Sequence, residues 1–152
     1  MRAALAVVLV LLPRMGQAQT TSPCKVVGVW ELVSGKTDTV PYPATLHARK
    51  VITKTHFTFV GRDEAVKDPQ TTADTVAFLQ SMAAGSGTYT LRGTTYTERP
   101  DFYPDPAYLG MDLPFTCRTE GDRLYQSGLV PVLEKGVRVR DVKLEEVWRR
   151  VE

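Results

Sequence analysis

The strongest local pattern in the chain is GTYTLRGTTYTER, residues 87–99. Threonine alternates with tyrosine and leucine on both sides of the pair Arg92-Gly93. Alternating β-branched and aromatic residues around a short turn that contains glycine are typical of a β-hairpin. The sequence therefore predicts two antiparallel strands, residues 87–91 and 94–99, and an antiparallel sheet is the first expectation for the chain.

Strand patterns recur on both sides of this hairpin. Residues 26–34 alternate with a period of two, which is typical of a strand. One face of this strand is expected to carry Gly28, Trp30, Leu32 and Ser34. Five more short stretches between turn residues are predicted as strands, and they cover residues 49–53, 56–62, 113–119, 123–128 and 142–151.

The order of these elements favours one fold class. Residues 72–84 have helical spacing, with Asp68 and Pro69 as the expected N-cap and first helical position. Eight strands, one helix and no repeated strand-helix-strand spacing favour an all-β barrel over a doubly wound sheet. We therefore expect an eight-stranded antiparallel barrel with one short helix inserted around residues 70–84. A closed barrel of this size is either filled by side chains or holds one small ligand.

The N-terminus has the pattern of a secretory signal peptide. Arg2 precedes an apolar run, residues 3–12, that is too short to span a bilayer, and Gly16 and Ala18 supply small residues before a cleavage site. The alternative is an uncleaved anchor, although Pro13 and Arg14 interrupt the run. We expect residues 1–18 to be a signal peptide, 19–25 a flexible N-terminus and 26–152 the barrel, with no membrane span after cleavage.

Charge and cysteine content limit the partners and the compartment. The chain has 19 Lys and Arg against 17 Asp and Glu, and removal of Arg2 and Arg14 leaves 17 of each. A neutral domain predicts neither a nucleic-acid partner nor a charged membrane surface as partner. Cys24 and Cys117 in an exported chain predict one disulfide, the alternative being two free thiols. Cys24 follows Thr-Ser-Pro and not a lipobox, so the expected location is periplasmic or secreted.

Several motifs in order resemble one family. They are Val27–Val33 (VGVWELV), Ile52–Phe57 (ITKTHF), Gly85–Thr97 (GSGTYTLRGTTYT) and Glu120–Leu124 (EGDRL). This set resembles the bacterial lipocalin-like domain proteins of the calycin type. The resemblance implies a lipocalin-like barrel, with Gly28 and Trp30 as structural residues. It also implies an arginine that closes over the first-strand tryptophan, a role that Arg149 or Arg150 could take.

Motifs for catalysis or for cofactor binding are absent from the sequence. Only His47 and His56 could serve as histidine bases, and there is no nucleophile elbow or Cys-His signature. No compact cluster of metal ligands appears, and Gly85-Ser-Gly87 leads into a strand, so it predicts no phosphate site. We predict no catalytic residues, no metal and no cofactor.

Strand alternation predicts which side chains face the barrel interior. The predicted interior and ligand-binding residues are Phe57, Phe59, Tyr89, Tyr96, Glu98, Gln126 and Trp148. Among them Glu98 stands out, because a buried carboxylate must be paired, solvated in a cavity or protonated. The alternative is that twist or a bulge turns Glu98 to solvent beside Arg99.

These observations predict a binding protein for a small apolar or amphipathic molecule, with the helix and the proline-rich loops over the open mouth. Two alternatives stay open. One is a barrel isomerase, cyclase or hydrolase that uses Glu98 or His56 as general base. The other is a filled barrel in the cell envelope that contacts another protein through an exposed aromatic patch around Phe102, Tyr103 and Tyr108.

Overall fold

The computed structural model describes residues 24–152. The predicted signal peptide and its cleavage site lie outside the described residues. The strands are β1 Gly28–Thr37, β2 Val40–Pro41, β3 Leu46–Ile52, β4 His56–Asp63, β5 Met82–Arg92, β6 Thr95–Phe102, β7 Leu113–Glu120, β8 Arg123–Glu134 and β9 Val137–Arg150. The helices are α1 Thr72–Gln80 and a 3-10 turn, Pro106–Tyr108.

Eight of the strands form one closed antiparallel barrel. Each strand from β3 to β8 pairs with the next strand in the chain, and β1 closes the barrel by pairing with β3 on one side and β9 on the other. The short β2 pairs with the end of β1 as one additional strand. The prediction of an all-β, eight-stranded antiparallel barrel with one short inserted helix is confirmed.

The core is densest at the end of the barrel where β1 begins and β9 ends. Trp30 and Tyr96 have no exposed surface there, and Val26 and Leu124 pack in the same cluster. Cys24 and Cys117 form a disulfide across this closed end, with Cα atoms 5.7 Å apart. The chain before β1 is thereby joined to the middle of β7.

Arg150 covers the first-strand tryptophan. Its guanidinium carbon lies 4.1 Å from the centroid of the Trp30 ring. The same guanidinium donates hydrogen bonds to the carbonyl oxygens of Val27 at 2.8 Å and Lys25 at 3.2 Å. Arg149 points elsewhere and pairs with Glu31. Of the two candidate arginines, Arg150 is therefore the one that seals the closed end.

A bulge in β1 corrects one part of the alternation. Leu32 pairs with Trp148 and Ser34 pairs with Val147, so Val33 is an extra residue in β1. The bulge shifts the period by one, which turns Ser34 to the exposed side. The prediction that Ser34 shares a face with Trp30 and Leu32 was wrong.

The helix is shorter than its sequence pattern indicated. It begins after Thr71, whose hydroxyl accepts from the amide of Asp74 while the Asp74 side chain accepts from the amide of Thr71. This capping box, and not Asp68 with Pro69, sets the N-terminus. The helix ends at Gln80 because residues 82–84 pair with β4 as the start of β5. Within residues 24–152, neither helix is long and apolar enough to cross a membrane.

Candidate functional site

A cavity of about 310 Å³ occupies the barrel interior beyond the closed-end core. Its walls include the apolar side chains Leu32, Phe57, Leu113, Phe115 and Val130. The partly exposed residues Tyr42, Leu46 and Tyr103 line it toward the opposite end of the barrel. The cavity thus has a packed base and a mouth at the loop end.

Lys50 joins two other polar side chains at the base of the cavity. It lies two residues before Ile52 on β3, and the period of a strand directs both side chains inward. Its ammonium donates to Glu98 Oε1 at 3.1 Å and to Gln126 Oε1 at 3.0 Å. Lys50, Glu98 and Gln126 are only 3%, 5% and 3% exposed. The Glu98 charge is therefore buried and paired, as one of its sequence-based alternatives required.

Aromatic rings surround the same ammonium. The Lys50 Nζ atom lies 4.9 Å from the centroid of the Trp148 ring and 5.8 Å from that of Phe59. Ring faces carry negative quadrupole potential and stabilise a cation at this range. The buried lysine is therefore held by one carboxylate, one amide and two aromatic faces.

Glu146 is a second carboxylate in the cavity wall, on β9. It accepts hydrogen bonds from the Tyr42 hydroxyl at 3.2 Å and from the Trp148 indole N–H at 3.0 Å. Burial raises the pKa of Glu146; Lys50 opposes this shift and the negative charge of Glu98 adds to it. Glu146 therefore holds a proton more tightly than an ordinary glutamate does.

Tyr42 reaches Glu146 from the loop between β2 and β3. Its amide donates to the carbonyl of Gly35 at 2.8 Å, and its ring lies where a side chain on Gly35 would be. A Cβ atom at position 35 would approach the Tyr42 ring to 2.3 Å. Gly35 therefore provides the space in which Tyr42 packs over the cavity.

Tyr96 and Tyr89 lie below the cavity and not in its wall. Their rings contact each other with centroids 5.0 Å apart, and the Tyr89 hydroxyl donates to the carbonyl of Thr53 at 2.8 Å. In residues 24–152, the Tyr96 hydroxyl is a buried polar atom without a hydrogen-bond partner. Burial, with the nearby charge of Glu98, raises the pKa of Tyr96, which keeps this phenol neutral.

The residues predicted for the interior therefore divide between two levels of the barrel. Those that line the cavity are Phe57, Phe59, Glu98, Gln126 and Trp148. The other two, Tyr89 and Tyr96, belong to the packed closed end with Trp30. Three polar cavity residues were missed, namely Tyr42, Lys50 and Glu146.

Alternation was a signal that could have found two of the missed residues. Lys50 continues the inward series of Leu46, Ala48 and Ile52, and Glu146 stands between Leu144 and Trp148. Glu146 lies among the mixed charges of residues 135–150, a pattern that by itself suggests the solvated face of an edge strand. β9 is not an edge, because it pairs with β8 and β1, and one of its faces is the barrel interior.

The elements around the mouth differ from expectation in one respect. No residue of α1 is buried, and none lines the cavity. The two proline-containing loops do contribute to the wall, through Tyr42 and Tyr103. His56 is exposed and bonded to the hydroxyl of Thr55, so it lies outside the cavity. Among the described residues, no group of three or more His, Cys, Asp or Glu could hold a metal ion.

Two larger hollows lie on the outer surface of the barrel. One, of about 490 Å³, is bordered by outward-facing residues such as Arg118, Tyr125 and Glu145. The other, of about 500 Å³, is bordered mostly by threonines and charged residues of β5 and β6. Of these three, only the interior cavity is lined by the buried ion pair Lys50–Glu98, and the interior is therefore the candidate site.

No protein-family model matches the chain, and no curated protein matches it. The closed eight-stranded antiparallel barrel is consistent with a calycin-like fold.

Proposed function

We propose that this protein is a lipocalin-like binding protein that takes a small amphipathic molecule into its barrel. The observation that supports the proposal most directly is the interior cavity, with buried polar groups at its base and apolar side chains around them. Ligand sites are typically concave, mostly apolar and supplied with a few convergent polar groups.

The volume of the cavity and the free-energy cost of its buried charges both favour a ligand site over an imperfectly packed core. A volume of about 310 Å³ corresponds to roughly ten water molecules at their liquid volume, and hence to a ligand of about ten heavy atoms. An ion pair such as Lys50–Glu98 is weak evidence for stability, because apolar residues of the same size often serve a core as well or better. Retention of these charged groups beside empty space fits a role in ligand recognition.

Export is part of the same proposal. The N-terminal sequence has the arrangement of a signal peptide, and the disulfide between Cys24 and Cys117 is of a kind that persists in oxidising compartments. We propose that the barrel acts in the periplasm or outside the cell.

Native mass spectrometry of the full chain, produced with export and purified without refolding, tests the proposal. We expect a stoichiometric adduct that is lost on denaturation and can then be identified by extraction. Val130 lines the cavity, so the larger side chain of the variant Val130→Trp should fill its interior and remove the adduct. The neighbouring Leu129→Trp, at an exposed position on the outer face, should retain it.

The opposite result would favour the filled-barrel interpretation. A clean apo mass that persists after incubation with a lipid and metabolite extract would contradict a binding function. An adduct that Val130→Trp and Leu129→Trp retain equally would place the ligand outside the barrel.

A further inference from the structure

The charges that line the cavity do not balance. Its described lining contains one cation, Lys50, and two carboxylates, Glu98 and Glu146. Lys50 is committed to Glu98, which lies 3.1 Å away, and to the amide oxygen of Gln126. One carboxylate therefore has no cation of its own at hydrogen-bond distance.

That carboxylate is Glu146, and its hydrogen-bond partners are both neutral. The Tyr42 hydroxyl and the Trp148 indole N–H each donate to one of its oxygens. A neutral donor gives the carboxylate a hydrogen bond but no opposite charge, whereas a cation at the same distance also stabilises the negative charge by Coulomb attraction. Glu146 is thus the position in the cavity where a cationic group would gain most.

We propose that the ligand of this cavity, given the binding function proposed above, is a small amphipathic amine. Its ammonium group pairs with Glu146, and its apolar body lies against the aromatic and aliphatic wall. Tyr42 and Trp148, which contact Glu146, would present ring surfaces beside the ammonium, an arrangement that stabilises a cation further. The volume of about 310 Å³ limits the body to something near the size of a phenylethyl group.

Other ligand charges fit the cavity less well. A carboxylate ligand would add a third negative charge to the two present and would have to compete with Glu98 for Lys50. A neutral alcohol would leave Glu146 without a counter-charge. Electrostatic preference between ligands of one shape is the kind of discrimination that such an unbalanced site provides.

Amine binding is expected to release a proton. Burial favours the protonated form of Glu146 in the empty cavity, whereas an ammonium beside it favours the carboxylate. The groups that face Glu146 from the surrounding elements are Lys50, Glu98, Tyr42 and Tyr103. Burial raises the pKa of both tyrosines, so these phenols remain neutral at physiological pH.

Three probes of similar shape test the inference: 2-phenylethylamine, 2-phenylethanol and 3-phenylpropanoate. Titration calorimetry of the full-length protein at pH 7 should give a Kd for the amine at least about tenfold lower than for the other two. Repeating the amine titration from pH 4.5 to pH 8 in buffers of different ionisation enthalpy should show net proton release over the pH range in which Glu146 is protonated in the free protein. Glu146→Gln keeps the side-chain shape and should abolish the preference for the amine over the alcohol. Glu145→Gln is the matched control, because Glu145 pairs on the outer face with Lys36 and Lys143.

Each other outcome overturns the inference in a distinguishable way. Equal affinity for amine and alcohol, or a preference that survives Glu146→Gln, rejects the amine and retains the barrel as a binding site. If no probe binds, but Val130→Trp still removes the adduct seen by native mass spectrometry, the amine inference fails and the binding function stands. If the adduct is absent as well, the binding function fails with it.

Discussion

The closed end of the barrel and the cavity above it are built by the same strands. A step of two residues along a strand leads from one level to the other. On three strands the inward residue at the closed end is apolar or aromatic, and the next inward residue toward the mouth is polar. The pairs are Ile52 and Lys50, Tyr96 and Glu98, and Leu124 and Gln126. Below this boundary side chains fill the space, and above it they surround the cavity.

The comparison separates a level that stabilises the domain from the level at which we propose that ligand binding occurs. The closed end contains the disulfide, the Arg150–Trp30 contact and the most deeply buried rings. The cavity level contains a buried ion pair and a carboxylate, Glu146, whose pKa is raised by burial. A rigid closed end allows the layer above it to hold polar groups that a core would ordinarily exclude.

Removal of the disulfide should have the largest effect on stability. In the chain-entropy model, a crosslink between residues 93 apart stabilises the native state by about 4 to 5 kcal/mol. We expect the double variant Cys24→Ala/Cys117→Ala to lose about this much free energy of unfolding, measured by urea denaturation. Ligand binding under conditions where the variant stays folded should be nearly unchanged. A large loss of affinity in the folded variant would show that the two levels are not separable.

Disruption of the buried ion pair should have the next largest effect. Lys50→Met leaves the Glu98 carboxylate buried without its cation, which typically costs about 3 to 5 kcal/mol. The double variant Lys50→Met/Glu98→Gln removes both charges and should recover most of that loss. Arg49→Met, on the exposed face of the same strand, serves as the control and should change the unfolding midpoint little. Failure of the double variant to recover would mean that packing, and not the orphaned charge, causes the loss.

Replacement of Arg150 should have a smaller effect that is confined to the closed end. Arg150→Met removes the cation over Trp30 and hydrogen bonds to two carbonyls before β1, a combined loss of roughly 2 kcal/mol. Arg149→Met removes only an exposed pair with Glu31 and should be close to neutral. Thermal unfolding of the two variants side by side measures the difference. Equal Tm values would contradict a sealing role for Arg150.

The same boundary explains how far the sequence could be interpreted. Period-two alternation predicted the strands, the barrel and the inward direction of Glu98, because those depend on local pattern. It failed where pairing outweighed pattern, at the Val33 bulge and in residues 82–84, which joined β5 and not the helix. Lys50 and Glu146 were missed because the sequence alone assigns a charged residue to the solvent-exposed face of a strand. Its inward position becomes evident only when a partner far away in the chain is known. Their partners, Glu98 and Tyr42, are 48 and 104 residues away.

The smallest expected effect is a loss of stability as pH rises, and it comes from Glu146 at the cavity level. Burial raises the pKa of Glu146 in the folded state above the ordinary glutamate value of 4.5. Between that value and the raised pKa, the folded protein binds a proton that the unfolded chain does not. The stabilisation is therefore complete below about pH 4.5 and declines as pH rises through the folded pKa.

Glu146→Gln should remove this decline, since an amide does not titrate. Urea midpoints measured from pH 4.5 to pH 8 should fall more steeply for the natural protein than for Glu146→Gln, after comparison with Glu145→Gln, whose own pKa is lowered by Lys36 and Lys143. Identical pH profiles for all three would mean that Glu146 titrates as in water. In that case the polar level of the barrel would be solvated through its mouth, and the contrast with the closed end would be one of packing without a difference in electrostatic environment.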